Sequence, residues 1–348
     1  MRGRRGKLGA GAGIADRRRD PLEKRALPGN CPRARAGPAH GTPFASAARG
    51  LLDVPAMTEK KSPGASLRIL VPSDGSPESA AALATVAAWS VSCRPEVLVL
   101  YVVEPGRARK DEADVRRICE DQRLRSLDLR ILTAQGRPAE AIRAAAREQG
   151  ADLIAMTTHG RTGIRRLVLG SVTEQVIRRS DIPVLVSRSE GALPPEGRIL
   201  VPLDGSRVAE GILPDAIRAA RILHTTLEVV QVVPEEVLPG AAGFHPPVRD
   251  PMPYLKGLCA GVERQGVEAS AAVLKGPVVA SLLEHACSRR VRLICAATYG
   301  RRGLARWVMG SSAEELLRES PCPVLVHRLE SYASRFPRRD RLRSGGLS

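Results

Sequence analysis

Two stretches of this chain carry the residue types that hold an anion. Residues 157 to 174 read TTHGRTGIRRLVLGSVTE, and residues 297 to 314 read ATYGRRGLARWVMGSSAE. In each, a glycine (Gly160, Gly300) stands ten positions before a second (Gly170, Gly310), followed at once by Ser171 or Ser311. Three residues on comes Glu174 or Glu314, a capping-box spacing, so a helix is expected to start at the serine. A glycine loop feeding a helix N-terminus presents unpaired backbone N–H groups and the positive end of the helix dipole, which suits phosphate. Taken singly, such a motif is as readily a plain turn and cap. Its recurrence makes an internal repeat the first thing to test.

The repeat extends through the chain. VPSDGS at 71–76 matches VPLDGS at 201–206, an offset of 130, and PVLV at 183–186 matches PVLV at 323–326, an offset of 140. The ten additional residues fall between the second and third strands of the second copy, where GAAGFHPPVRDPMPY (240–254) reads as a loop. Each copy therefore supplies an acid, Asp74 or Asp204, at the end of its first strand, and a Gly-Ser loop after its fourth.

The elements that position these groups follow from periodicity. Strands are expected over 67–72, 96–104, 127–136, 151–158 and 182–188 of the first copy. Helices begin at Pro77, with Ala80, Leu83, Ala84 and Ala87 on one apolar face, and at Pro138, with Ile142, Ala145 and Ala146 inward and Gly150 at its end. A charged helical stretch spans 110–126. Strands alternating with helices over short connections imply an α/β fold with a parallel sheet.

Composition narrows the function classes. The 348 residues suffice for two domains, and aromatics at 3% are too few for a nucleic-acid surface built on stacking. The net charge of +17 is uneven: residues 1–56 hold twelve Lys or Arg against four acids, and 330–348 hold five against two. Basic, Gly- and Pro-rich flanks of this kind are expected to be disordered and to carry no specific nucleic-acid partner. Met57, just before the folded part, is a candidate translation start. Seven cysteines without a C-x-x-C spacing point to reduced thiols and a cytoplasmic protein. No apolar run reaches the roughly 20 residues of a membrane span. The six histidines lack metal-ligand spacing, so no metal site is expected.

Together, VPSDGS/VPLDGS, HGRTGIRRLVLGS/YGRRGLARWVMGS and the closing PVLV strands resemble a tandem universal stress protein. The resemblance implies two doubly wound domains, each a five-stranded parallel sheet of order 3-2-1-4-5 with helices on both faces. The expected organisation is a basic extension over 1–65, domain 1 over 66–188, a linker over 189–197, domain 2 over 198–328 and a basic tail over 329–348. It also implies an adenine nucleotide, ATP with Mg²⁺, in the crevice between strands 1 and 4. Carried over, Asp74 meets the adenosine part, and Thr157, Gly160, Gly170, Ser171, Val172 and Thr173 surround the phosphates. Asp204, Gly300, Gly310 and Ser311 form the counterpart in domain 2. The signature of nucleotide binders opens with a glycine where this chain has Thr157 and Ala297, and Val172-Thr173 becomes Ser312-Ala313, so domain 1 is the expected site. Arg161, Arg165 and Arg166, and Arg301, Arg302 and Arg306, add positive charge around the loops.

The family implies binding and signalling in the stress response, with at most slow ATP hydrolysis; no Walker A sequence is present. Two other readings compete. One is an interaction module whose sites are vestigial. The other is an enzyme related to the adenine-nucleotide α-hydrolases, many of which carry SGG-x-DS where this chain has SDGS. The closing strands, apolar at an edge, are expected to pair antiparallel within one chain as a pseudo-dimer, with a homodimer as the alternative.

Overall fold

The structure is a computed structural model. It describes residues 67–90, 93–104, 110–121, 124, 127–158, 169–188, 196–233, 250–299 and 311–329. Gly160, Gly300, Gly310, the loop arginines and both basic flanks lie outside the described residues.

The first repeat runs β1 (Arg68–Pro72), α1 (Pro77–Ser90), β2 (Glu96–Val103), α2 (Lys110–Cys119), β3 (Asp128–Gln135), α3 (Pro138–Glu148), β4 (Leu153–Thr157), α4 (Ser171–Arg179) and β5 (Val184–Ser187). The second runs β6 (Ile199–Leu203), α5 (Arg207–Glu210), α6 (Leu213–Leu223), β7 (Leu227–Val233), α7 (Met252–Glu263), β8 (Ala269–Lys275), α8 (Val278–Ser288), β9 (Leu293–Tyr299), α9 (Ser311–Glu319) and β10 (Val324–Leu329). All strands form one ten-stranded sheet of order β3-β2-β1-β4-β5-β10-β9-β6-β7-β8, which gives each repeat the expected 3-2-1-4-5.

Pairing is parallel within each repeat and antiparallel at the seam, where Val324, Leu325 and Val326 of β10 face Val186, Leu185 and Val184 of β5. Two edges that would each invite aggregation thus satisfy one another. Because the seam is antiparallel, the strands of the second repeat end where those of the first begin.

The strands alternate between two cores. Ile69, Val71, Val97 and Val99 join one with the large side chains of α1, α6 and α7, and Leu70, Leu98 and Leu100 join the other with those of α3, α4, α8 and α9. Burial on both faces explains the near-continuous apolar runs of β1 and β2. The seam also carries polar ties. Arg218 of α6 reaches the buried Asp152 carboxylate at 3.3 Å. His327 of β10, itself buried, places Nδ1 2.6 Å from Asp215 Oδ2 and Nε2 3.2 Å from the Asp181 carbonyl of the other repeat.

Three local expectations need correction. The buried face of α1 is set by Ala82, Leu83, Val86 and Trp89, while Ala84 is exposed. In a helix this rich in alanine, spacing alone cannot fix the face, and the bulky side chains choose it. Residues 252–254 belong to the first turn of α7 and not to a loop. The charged helix of the first repeat ends at Cys119, well before 126.

Candidate functional site

The first crevice lies where β1 and β4 pair side by side while their connections leave in opposite directions, at their carboxyl ends. Open α/β sheets bind ligands at this kind of reversal. After β1 the chain turns through Ser73, Asp74 and Gly75, whose φ of +77° explains the glycine.

The turn is braced by short side chains. Asp74 Oδ1 accepts from Ser76 N–H at 3.0 Å and from the Ser76 hydroxyl at 2.5 Å. Ser76 Oγ in turn accepts from Ser79 N–H at 3.1 Å, as an N-cap of α1 should. The Ser79 hydroxyl donates to the Ser76 carbonyl and lies 2.8 Å from the buried Ser73 hydroxyl. Asp74, half-buried, is therefore held by its Oδ1 at the strand end rather than free to rotate.

From the other side comes the start of α4. Gly170 N–H donates to Thr158 O at 2.7 Å, and Thr158 N–H donates to Ser187 O at 3.1 Å, so the chain returns to the end of β4 before the helix begins. Gly170 occupies the N-cap position with φ −55° and ψ 137° and no side-chain cap bond. The first helical hydrogen bond runs from Glu174 N–H to Gly170 O at 2.9 Å. The N–H groups of Ser171, Val172 and Thr173 are accordingly first-turn donors without an intrahelical acceptor.

This corrects the capping-box reading. The helix starts at Ser171, but the cap is Gly170; Ser171 is the first helical residue, its side chain exposed. Glu174 instead pairs along the helix with Arg178 at 2.6 Å. Val172 is half-buried against the apolar core, which leaves its backbone N–H as its polar group at the helix start. Thr173 is buried, and its hydroxyl donates to the Thr157 carbonyl at 2.9 Å, fastening the helix start to the end of β4. Thr157 is buried as the last residue of that strand.

The second crevice repeats the outline with two of the serines replaced. β6 pairs with both β7 and β9, and Gly205 has φ +83°. Asp204 is exposed and accepts from Ser206 N–H at 2.9 Å, and Ser206 Oγ caps α5 by accepting from Ala209 N–H at 3.1 Å. The positions of Ser73 and Ser79 are Leu203 and Ala209, so the serine network has no counterpart. Ser311 again begins its helix.

Sequence reasoning passed over a different polar pair beside Asp204. Tyr254 donates to Glu210 Oε1 at 2.9 Å, and Glu210 is buried. Burial pushes the Glu210 carboxyl above its usual range; the Tyr254 bond and Arg207 pull it down, and Asp204 pushes it up again. Neither residue belongs to a motif, and only the fold brings them together. Among the described residues, no group of three or more His, Cys, Asp or Glu is placed to hold a metal, and no helix is long and apolar enough to cross a membrane.

Two doubly wound halves, each with an acid turn after its first strand and a helix after its fourth, define a duplicated α/β class of protein with a strand-order reversal in each half. The model of the universal stress protein family matches residues 66–188 and again 197–328, and the chain belongs to that family as a tandem of two such domains. A universal stress protein of Methanocaldococcus jannaschii is 28% identical over 159 residues, which are 36% of this chain and 96% of that protein. One from Thermus aquaticus is 34% identical over 133 residues, 34% of this chain and 97% of its own. The crystal structure of a universal stress protein from Archaeoglobus fulgidus matches with a TM-score of 0.59 over 75% of this chain and 98% of its own, at 21% identity, a likeness of fold.

Proposed function

We propose that the crevice of the first repeat binds an adenine nucleotide, ATP carried with Mg²⁺, and that the protein acts in stress response or signalling by binding rather than by fast chemistry. The observation that carries this reading is the pairing, across adjacent strands β1 and β4, of a braced carboxylate at Asp74 with the first-turn N–H groups of Ser171, Val172 and Thr173. A carboxylate accepts from ribose hydroxyls and repels phosphate. A helix N-terminus attracts phosphate. The two ends of the crevice therefore suit the two ends of one nucleotide. The exposed Ser171 hydroxyl adds a donor beside the N–H groups. Thr157 and Gly170 flank this zone, Thr157 through the carbonyl that anchors Thr173, and Gly160 belongs to it by the resemblance. Asp204, Gly300, Gly310 and Ser311 form the weaker, second site.

Calorimetric titration of the full chain with ATP, ADP and AMP tests the reading. Affinity in the micromolar range, strongest for ATP, is expected. Absence of heat or of any shift in unfolding temperature with all three would favour a pure interaction module. Rapid release of pyrophosphate from ATP would instead favour an α-hydrolase-like enzyme.

A further inference from the structure

The sheet ends on one side at β3 and on the other at β8, and the two strands offer different edges. β3 reads DLRILTAQ, with the exposed Asp128 and Arg130 along it. Charges of this kind blunt an edge against further pairing. β8 reads ASAAVLK, with no charge and no proline before Lys275. Its Ala269, Ala271, Ala272, Val273 and Leu274 are all half-buried.

Backbone direction decides which groups of β8 face out. Leu227 N–H donates to Glu268 O at 2.9 Å, and Gly276 N–H donates to Val233 O at 3.1 Å, at the two ends of the pairing with β7. In a parallel ladder the residues in step with these, Ser270, Ala272 and Leu274, turn their N–H and C=O toward β7. Ala269, Ala271, Val273 and Lys275 turn theirs outward. Among the described residues no other strand pairs with this side. The Lys275 carbonyl accepts from the Ser281 hydroxyl at 3.2 Å and keeps a second lone pair.

We propose that β8 is the interface of a homodimer, in which β8 of a second copy pairs with it antiparallel about a two-fold axis at Ala272. A two-fold contact must be self-complementary, and this edge is. Centred on Ala272, Ala271 lies opposite Val273 of the second copy and Ala269 opposite its Lys275. All four outward residues then exchange N–H···O bonds. A slip of two residues either way leaves Ala269 or Lys275 outside the pairing, and a slip of one opposes residues that belong to different faces.

The side chains agree with that register. Ala272 meets Ala272, Ser270 meets Leu274, and no charge faces a like charge. Lys275 lands beside the start of the second copy's β8, where α7 ends at the exposed Glu263. An acid and the carboxyl end of a helix both favour a cation, and Arg264 there turns its Nε back to Ala260 O at 3.4 Å. Pairing β8 with β3 of a second copy would instead set Asp128 and Arg130 against an apolar strand in a contact that does not close. The seam of β5 and β10 shows antiparallel edge pairing in use within one chain.

Sedimentation equilibrium of the full chain tests this, and a dimer is expected at micromolar concentration. Ala271→Pro removes an N–H that β7 does not use, a change an outward edge position tolerates. It should weaken the dimer about tenfold or more. On β3, Gly136 N–H donates to Val103 O, so Thr133 faces outward by the same alternation. Thr133→Pro should leave the dimer unchanged. Ala272→Cys sets two thiols at the two-fold in a non-hydrogen-bonded pair, with Cα atoms about 4.5 Å apart, within disulfide reach. Oxidation with diamide should give a covalent dimer beyond any formed by the wild type. Should Ala271→Pro fail to fold, this crosslink decides alone. A wild type that stays monomeric overturns the proposal. So does a dimer that survives Ala271→Pro, that Thr133→Pro abolishes, or that Ala272→Cys does not crosslink.

Discussion

The two repeats share strand order and motif spacing but treat the ends of their first strands differently. In the first, Asp74 is locked by Ser76, and Ser76 by Ser79, with Ser73 beneath. In the second, Leu203 and Ala209 replace two of those serines, Asp204 is exposed and accepts from Ser206 N–H, and the half-buried Tyr254 donates to the buried Glu210. A preorganised carboxylate loses less freedom when a ligand arrives. A duplicated scaffold can thus keep its architecture in both copies while the side chains around its first strand ends diverge.

The substitutions that would break this comparison differ in expected size. Gly170→Val should have the largest effect, lowering ATP affinity about a hundredfold or more by displacing two or three charge-assisted N–H contacts; Gly310→Val should change it little. Calorimetry on both variants decides, and equal losses would make the repeats equivalent. Next, Asp74→Asn should weaken ATP about tenfold by weakening a charged acceptor for ribose, against a small change for Asp204→Asn in the same titration. Ser79→Ala should then cost about 1 kcal/mol of stability through its lost hydroxyl bonds, read by urea denaturation; Ala209→Ser, restoring one member of the network, should recover only part of that amount in the second repeat.

The smallest effect concerns Glu210. Its carboxyl is raised in the folded state, so its favourable contribution is complete below the unfolded value and is lost as pH rises through the folded one. Glu210→Gln keeps an acceptor for Tyr254 and removes the buried charge. It should raise the unfolding temperature by about 2 °C at pH 7, with the gain vanishing as pH falls below the ordinary carboxylate value of 4.5. A gain that persisted or grew under acid would show that Glu210 is not held in this way.

The alternation of strands and helices was legible in the apolar runs, the strand order came only with the family resemblance that the duplicated motifs carry, and the closing antiparallel pair was expected from the unpaired apolar edges of Ile182–Val186 and Pro323–Val326. Helix faces were less so: in α1, alanine at most positions leaves periodicity silent, and Trp89 and Val86 decide. The cap at Gly170 was missed because S-x-x-E scores a side-chain bond, whereas here the chain's return to Thr158 sets the helix start and frees the serine. Tyr254–Glu210, Arg218–Asp152 and His327–Asp181 join residues 44, 66 and 146 positions apart, the last two across the repeats, and no local pattern announces such pairs.

The central claim, that the first repeat holds the nucleotide, is tested most directly by photolabelling the full chain with an azido-adenine analogue of ATP and mapping the labelled peptides. Label confined to peptides within residues 66–188, and displaced by unlabelled ATP, is the predicted result. Displaceable label on peptides of residues 198–328 alone, or label that ATP does not displace, would contradict it.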